Sequence, residues 1–81
     1  MIDTELMALL EENECLLADG FDAALIGISY GCNPVAVYDV GRCIECLQDQ
    51  DMDLEEAWEH FSFNVAGSYV GEKTPCFIDL Y

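Results

Sequence analysis

Apolar and polar positions in the first 20 residues have the spacing of an amphipathic helix. Apolar side chains stand at positions 6, 9, 10, 16 and 17, with glutamates between them. This pattern predicts a helix from Thr4 to about Leu17 with one hydrated face. Asp19-Gly20 would stop it, although the same pattern also allows the helix to end near Asn13.

Two short apolar segments follow, and their composition predicts a β-hairpin. Ala23–Tyr30 is short and apolar, contains the β-branched Ile26 and Ile28, and predicts a first strand with Leu25 and Ile26 on opposite faces. The residue types of Gly31–Pro34 are those of a turn. Val35–Tyr38 then returns as the second strand.

The remaining residues predict two helices and a last strand. Asp39 is placed to cap a helix that runs to about Gln48. Asp53 begins a second helix with capping-box spacing, and this helix extends to about Val65–Gly67. Its expected inner face consists of Leu54, Ala57, Trp58, Phe61 and Val65. In the loop Gly71–Pro75, Gly71 is expected to supply an unusual backbone angle, and Cys76–Leu80 forms the last strand.

This order, α-β-β-α-α-β, predicts a single α+β domain that spans residues 1–81. The expected architecture is a small antiparallel three-stranded sheet with helices on one face. The 81 residues are enough for one domain with its own core.

Charge changes this picture of an ordinary small domain. Seventeen Asp and Glu residues face two cations, Arg42 and Lys73, which gives a formal charge of −15 on a chain that is 53% hydrophobic. Disordered acidic tails lack such a content of core-forming residues, so the acids should lie outside a folded body. A field of this size repels nucleic acids and anionic membranes, and it attracts basic protein surfaces.

Seven of these acids lie between positions 45 and 59, where no base occurs: Glu45, Asp49, Asp51, Asp53, Glu55, Glu56 and Glu59. Carboxylates four residues apart on a helix are about 5–6 Å from each other, a spacing similar in scale to that of nucleic-acid phosphates. We therefore expect these seven side chains to form a partner-binding surface that fits a basic groove.

The same segment could carry other chemistry, but its spacings argue against it. Asp49-x-Asp51-x-Asp53 suggests a calcium loop, yet its sixth and twelfth positions hold Leu54 and His60 instead of Gly and Glu. We therefore expect no specific metal site and no cofactor.

The cysteines and the histidine suggest two further chemistries. Cys43 and Cys46 form a CxxC that could be a zinc half-site or a redox pair, but helical packing of two small residues is the simpler interpretation. His60 is expected to be a half-buried packing residue, so no catalytic set is predicted and the protein is expected not to be an enzyme.

Several short segments resemble a known group of sequences. They are Ala36–Asp39, Cys43–Leu47, Glu55–Ala57, Phe63–Val65 and Gly67–Pro75. Through these segments, the stretch from about Ala24 to Ile78 resembles short uncharacterised bacteriophage and bacterial open reading frames with an AVYD…FNxxGxYVGExTPxF-type pattern. The resemblance implies an intracellular, phage-encoded small domain, and it implies no particular activity.

Taken together, these observations lead to two hypotheses of function. The first is a non-catalytic inhibitor, of the class of anti-CRISPR proteins and other DNA mimics, that blocks a basic host nucleic-acid-binding protein. The second is an accessory or structural interaction module, monomeric or dimeric, whose acidity is incidental. No apolar stretch approaches the length of a membrane span, and the first residues lack the positive start of a signal peptide. We therefore expect the host cytoplasm, with the five cysteines reduced.

Overall fold

The computed structural model describes residues 4–31, 33–65, 67 and 71–80. Its elements in chain order are α1 (Thr4–Glu12), a 3-10 turn (Asp22–Ala24), β1 (Leu25–Ile28), β2 (Ala36–Asp39), α2 (Val40–Gln48), α3 (Leu54–His60), a π-helical turn (Phe61–Val65) and β3 (Cys76–Ile78). This order confirms the predicted α+β class. Cys32 of the predicted turn and residues 68–70 of the tail pattern lie outside the described residues.

The sheet is mixed, and the prediction of a purely antiparallel sheet is therefore wrong. β2 lies in the centre, antiparallel to β1 and parallel to β3. The physical reason is the long connection through α2 and α3, which returns the chain to the starting end of β2. A crossover of this kind delivers a parallel strand, whereas the short turn between β1 and β2 can only join antiparallel ones.

The first strand is shorter than its composition predicted and contains a bulge. Ala23 and Ala24 belong to the 3-10 turn, and β1 begins at Leu25. Leu25 pairs with Tyr38 and Gly27 pairs with Val37, the next residue of β2. Ile26 therefore has no partner in β2 and forms the bulge. Such a bulge disturbs the two-residue alternation of side chains. For this reason Leu25 alone of the four strand residues is buried.

α1 ends at Glu12, so the predicted end near Leu17 is wrong and the alternative end near Asn13 is confirmed. The main-chain NH of Cys15 donates to Leu10 O at 2.9 Å, and that of Glu14 donates to Glu11 O at 3.0 Å. These two bonds form a Schellman motif, in which the residue after the cap has a positive φ. Here that residue is Glu14, with φ 55°, at a position that glycine usually occupies.

One hydrophobic cluster joins the sheet to all three helices. Its fully buried members include Leu10 of α1, Tyr38 of β2, Cys43 and Leu47 of α2, and Ala57 of α3. The ring of Tyr38 stacks on that of Phe77 in the parallel neighbour β3, at 5.5 Å between centroids. Phe77 in turn makes an edge-to-face contact with Phe61 at 5.3 Å. The parallel pairing thus brings Phe77 against Tyr38 of β2, and Phe61 packs on Phe77.

The inner face of α3 is narrower than predicted. Ala57 and Phe61 are buried and Val65 is half-buried, but Leu54 is 55% exposed and Trp58 is 42% exposed. Only one edge of this short helix therefore contacts the core. None of the helices in the described ranges is both long and apolar enough to cross a membrane.

The loop before β3 is anchored to the turn between β1 and β2. Gly71 has φ +115°, which confirms its predicted special angle. The hydroxyl of Thr74 donates to Gly71 O at 2.6 Å. Lys73 Nζ donates to Pro34 O at 3.2 Å, and Asn33 Nδ2 donates to Glu72 O.

The positive φ of Glu14 leads to a stability prediction. A left-handed conformation costs a non-glycine residue roughly 1–2 kcal/mol, and glycine at this position would avoid that cost. The greater freedom of glycine in the unfolded chain offsets part of the resulting stabilisation. We expect Glu14→Gly to raise the free energy of unfolding by about 0.5–1 kcal/mol. Urea unfolding followed by Trp58 fluorescence measures this change.

Glu12→Gly is the matched control because it removes the same charge from within α1. It should lower the free energy of unfolding by about 0.5–1 kcal/mol. Equal effects of the two substitutions would mean that relief of charge repulsion, and not the backbone angle, determines the result.

Candidate partner-binding surface

The seven carboxylates between positions 45 and 59 lie on two helices and the turn that joins them. We call this stretch the acidic segment. Glu45 belongs to α2, Asp49, Asp51 and Asp53 to the turn, and the remaining three to α3. All seven residues are exposed. The prediction that they point outward is thus confirmed, whereas a role in binding a partner stays a prediction.

α2 presents Glu45 to solvent because the opposite face of the helix is apolar. Val40, Cys43, Ile44 and Leu47 are buried, which leaves Glu45 on the solvent side. Asp39 caps this helix as predicted: its Oδ1 accepts a hydrogen bond from Gly41 N at 3.0 Å.

Two acids of the segment also have a structural task in α3. Asp53 Oδ1 accepts from Glu56 N at 2.8 Å, and the Asp53 main-chain NH donates to Glu56 Oε1 at 3.4 Å. These bonds form the predicted capping box. Asp51 has φ 69°, a conformation that Asp tolerates better than most residues. The acids without such duties are Glu45, Asp49, Glu55 and Glu59.

The two cations of the chain make their contacts outside the acidic segment. Arg42 Nε lies 3.6 Å from Asp39 Oδ2, and this is the one side-chain ion pair between residues that the structure describes. Lys73 is directed at the carbonyl of Pro34. Arg42 stands one turn before Glu45 on α2, but its partner is Asp39. The acidic segment therefore carries uncompensated negative charge.

The exposed face of α3 is not purely acidic. Leu54 and Trp58 lie four residues apart on this helix, as do Glu55 and Glu59, so an apolar pair runs beside an acidic pair. Trp58 makes an edge contact with Phe61 at 6.3 Å between centroids. The prediction that Leu54 and Trp58 belong to the core is therefore wrong. Both side chains are exposed because α3 packs against the core through one narrow edge.

The CxxC of α2 is part of the core and of its border. Cys43 is fully buried, and burial, aided by the nearby charge of Asp39, raises the pKa of its thiol to about 12. Burial and the carboxylates of Asp49 and Glu45 raise the pKa of Cys46. Redox-active cysteines need the opposite shift, which positive neighbours provide. The packing interpretation of this motif is thereby supported.

No metal centre is built from the residues that the structure describes. Across these residues, no three His, Cys, Asp or Glu side chains come together in a way that could hold an ion. The three alternating aspartates 49, 51 and 53 illustrate the reason. Asp53 is turned toward the start of α3 as its cap, and Asp51 takes a left-handed backbone conformation.

A groove that sequence reasoning missed lies beside His60. It encloses about 530 Å³ between the segment after α1, the end of α3 and the start of β3, and its walls are mainly apolar. His60 is half-buried there, as predicted, with Nδ1 3.5 Å from Asn64 Nδ2. Leu16 and Leu17 form one wall and are 43% and 41% exposed. The sequence signal for this groove was the apolar pair Leu16 and Leu17 beyond Asn13. The longer predicted helix included both residues, so they were interpreted as part of its apolar face.

The comparisons with known proteins leave the chain without a family assignment. No family model matches it, and no curated protein or solved structure shows a significant match.

The capping box permits a test that separates structure from charge at Asp53. Asp53→Asn and Asp53→Ala remove the same charge, but Asn retains an acceptor for Glu56 N. We expect Asp53→Ala to lower the free energy of unfolding by about 1 kcal/mol. Asp53→Asn should lie close to the parent, and both values come from urea unfolding. If both variants lose the same stability, the cap makes no measurable contribution.

The buried thiol gives a prediction about reactivity. With a pKa of about 12, Cys43 carries roughly one thiolate in 10⁴ molecules at pH 8. Iodoacetamide at pH 8 should therefore label the exposed Cys76 well before Cys43, as peptide mass spectrometry would show. Addition of denaturant should abolish the difference. Early labelling of Cys43 in the folded protein would contradict this assignment of its burial and pKa.

Proposed function

We propose that this protein is a non-catalytic inhibitor that occupies the nucleic-acid-binding surface of a basic partner protein. The acidic segment provides the contact, and its carboxylates take the place of phosphates. In the phage setting that the sequence resemblance implies, the partner is a host protein, as for anti-CRISPR proteins and other DNA mimics.

The observation that supports this proposal most is the uncompensated charge of the acidic segment. All seven carboxylates are exposed, while both cations of the chain are engaged elsewhere. Ordinary solvated helices mix the two signs and form Glu–Lys pairs. Like-charge pairs such as Glu55–Glu59 instead cost about 0.2–0.5 kcal/mol each. A cationic partner would remove this cost on binding.

The physical consequence is a strong dependence of binding on salt. Attraction between exposed charges is screened over a Debye length of about 10 Å at 0.1 M salt. Neutralising the partner's lysines and arginines with carboxylates competes directly with phosphate contacts. Binding of this kind therefore weakens as salt rises, and it excludes DNA or RNA from the same surface.

The exposed apolar residues favour a second candidate function. Leu54 and Trp58 on α3, with Phe63 at 81% exposed, are large apolar side chains open to solvent. An interaction module with incidental acidity would use these residues, either with another protein or with a second copy. Its binding would change little with salt, because burial of apolar surface is not screened.

Two variants with equal net charge test the proposal. The segment variant carries Glu45→Gln, Asp49→Asn, Glu55→Gln and Glu59→Gln, which leaves the capping box and Asp51 intact. The control variant carries Glu14→Gln, Asp22→Asn, Glu72→Gln and Asp79→Asn, all at exposed positions outside the segment. Each set removes four negative charges from the total of −15.

The measurement uses bacterial proteins captured on the immobilised parent in low salt and eluted in graded salt. Each captured nucleic-acid-binding protein is then tested in a gel shift with its DNA or RNA. We expect the parent and the control variant to release the nucleic acid. The segment variant should need at least about tenfold more protein. Equal inhibition by both variants would overturn the assigned surface, and capture that is equally strong in low and high salt would favour the second candidate.

A further inference from the structure

The groove beside His60 is a second candidate binding site, separate from the acidic segment. Its lining includes the apolar side chains of Leu16, Leu17, Phe21, Val65 and Phe77. Phe21 is buried and Phe77 half-buried, whereas the two leucines are more than 40% exposed. Apolar side chains thus line a concave space of about 530 Å³, within the usual range of about 300–1,000 Å³ for binding pockets.

The segment that carries Leu16 and Leu17 is tied to the sheet by a hydrogen bond to the buried side chain of Tyr38. Residues 15–18 form neither helix nor strand, yet the main-chain NH of Ala18 donates to the hydroxyl of Tyr38 at 2.8 Å. Tyr38 is 1% exposed and belongs to the central strand. The irregular segment that carries Leu16 and Leu17 is therefore tied to the most buried part of the sheet, so the groove is preformed.

Charge indicates which occupant fits. The lining includes the exposed residue Asp19, and neither Arg42 nor Lys73 is among the described residues that line it. The body around the groove carries a charge of −15. Anionic amphiphiles and a second copy of this chain would meet repulsion there, whereas an apolar group next to a cation would be attracted.

We infer that the groove binds a short basic segment of the partner protein, which inserts an apolar side chain between Leu17 and Phe77 and places a lysine or arginine at Asp19. This inference deepens the proposed function and rests on its cationic partner. It adds a specific anchor to a contact that charge alone would leave unspecific, because a filled apolar pocket supplies binding energy that salt does not screen.

A peptide of alternating leucine and lysine, labelled with a fluorophore, is the probe. Its affinity for the protein is measured by anisotropy in low and high salt. An alanine–lysine peptide has the same charge without an anchor, and a leucine–glutamate peptide has the anchor with the wrong charge. We expect the leucine–lysine peptide to bind at least about tenfold more tightly than either one. Its advantage over the alanine–lysine peptide should persist in high salt.

Paired variants locate the site. Leu16→Ser with Leu17→Ser should weaken binding of the leucine–lysine peptide at least about tenfold and leave the alanine–lysine peptide unchanged. Leu9→Ser with Leu80→Ser is the matched control, since these leucines are also exposed but lie outside the groove. Asp19→Asn should weaken the leucine–lysine peptide more than Asp79→Asn does. Trp58 fluorescence and circular dichroism check that every variant is folded.

Several outcomes would overturn the inference. Unchanged peptide binding by the Leu16/Leu17 variant, or an equal loss in the Leu9/Leu80 control, would exclude the groove as the site. Equal binding of the leucine–glutamate peptide would exclude a basic occupant. A dimer in light scattering that the Leu16/Leu17 variant abolishes would make a second copy the occupant.

The segment variant separates this inference from the proposed function. If that variant still prefers the leucine–lysine peptide but inhibits nucleic-acid binding as well as the parent, the proposed role of the acidic segment fails and the groove stands. If it loses inhibition while the Leu16/Leu17 variant binds every peptide like the parent, the proposed function stands and the groove fails.

Discussion

The burial of Tyr38 in the central strand is the constraint on which the other packing depends. Its ring is closed off by Phe77 of the parallel neighbour β3, and its hydroxyl accepts the main-chain NH of Ala18. A buried hydroxyl without a partner costs free energy, so the segment after α1 must pass close to this oxygen. Burial, only partly opposed by this hydrogen bond, raises the pKa of the tyrosine. One side chain thus connects the N-terminal segment, the hairpin and the crossover strand.

Segregation of apolar and acidic side chains explains how so acidic a chain keeps a core. The described buried residues are all apolar, and the acids are displaced to the outer faces of short helices. α2 shows this separation clearly, with four buried apolar residues on one face and Glu45 on the other. Repulsion among the acids opposes compaction. Two of the acids, Asp39 and Asp53, nevertheless stabilise the fold as helix N-caps. The four carboxylates at 45, 49, 55 and 59 remain without such a task.

The two proposed binding features differ in what each can contribute. Exposed carboxylates act at long range and raise the rate of encounter with a basic surface, but they discriminate poorly among basic partners. A preformed apolar groove acts only on contact and selects for shape. A partner that used both would be attracted by the acidic segment and selected at the groove. This division agrees with interfaces in general, where a few buried anchors carry most of the binding energy.

The sequence by itself determined the class of fold, the order of the elements and the outward position of the acidic segment. These features depend on local signals: the spacing of apolar residues, the caps Asp39 and Asp53, and a shortage of bases that leaves acids unpaired. Tertiary structure alone decided that β3 lies parallel to β2, that Ile26 forms a bulge, that Leu54 and Trp58 are exposed, and that Leu16 and Leu17 line a groove. Each of these depends on which distant residues meet, as when Phe77 reaches Tyr38. Periodicity along one segment identifies the face that can be buried, but it carries no information about how much of that face another segment will cover.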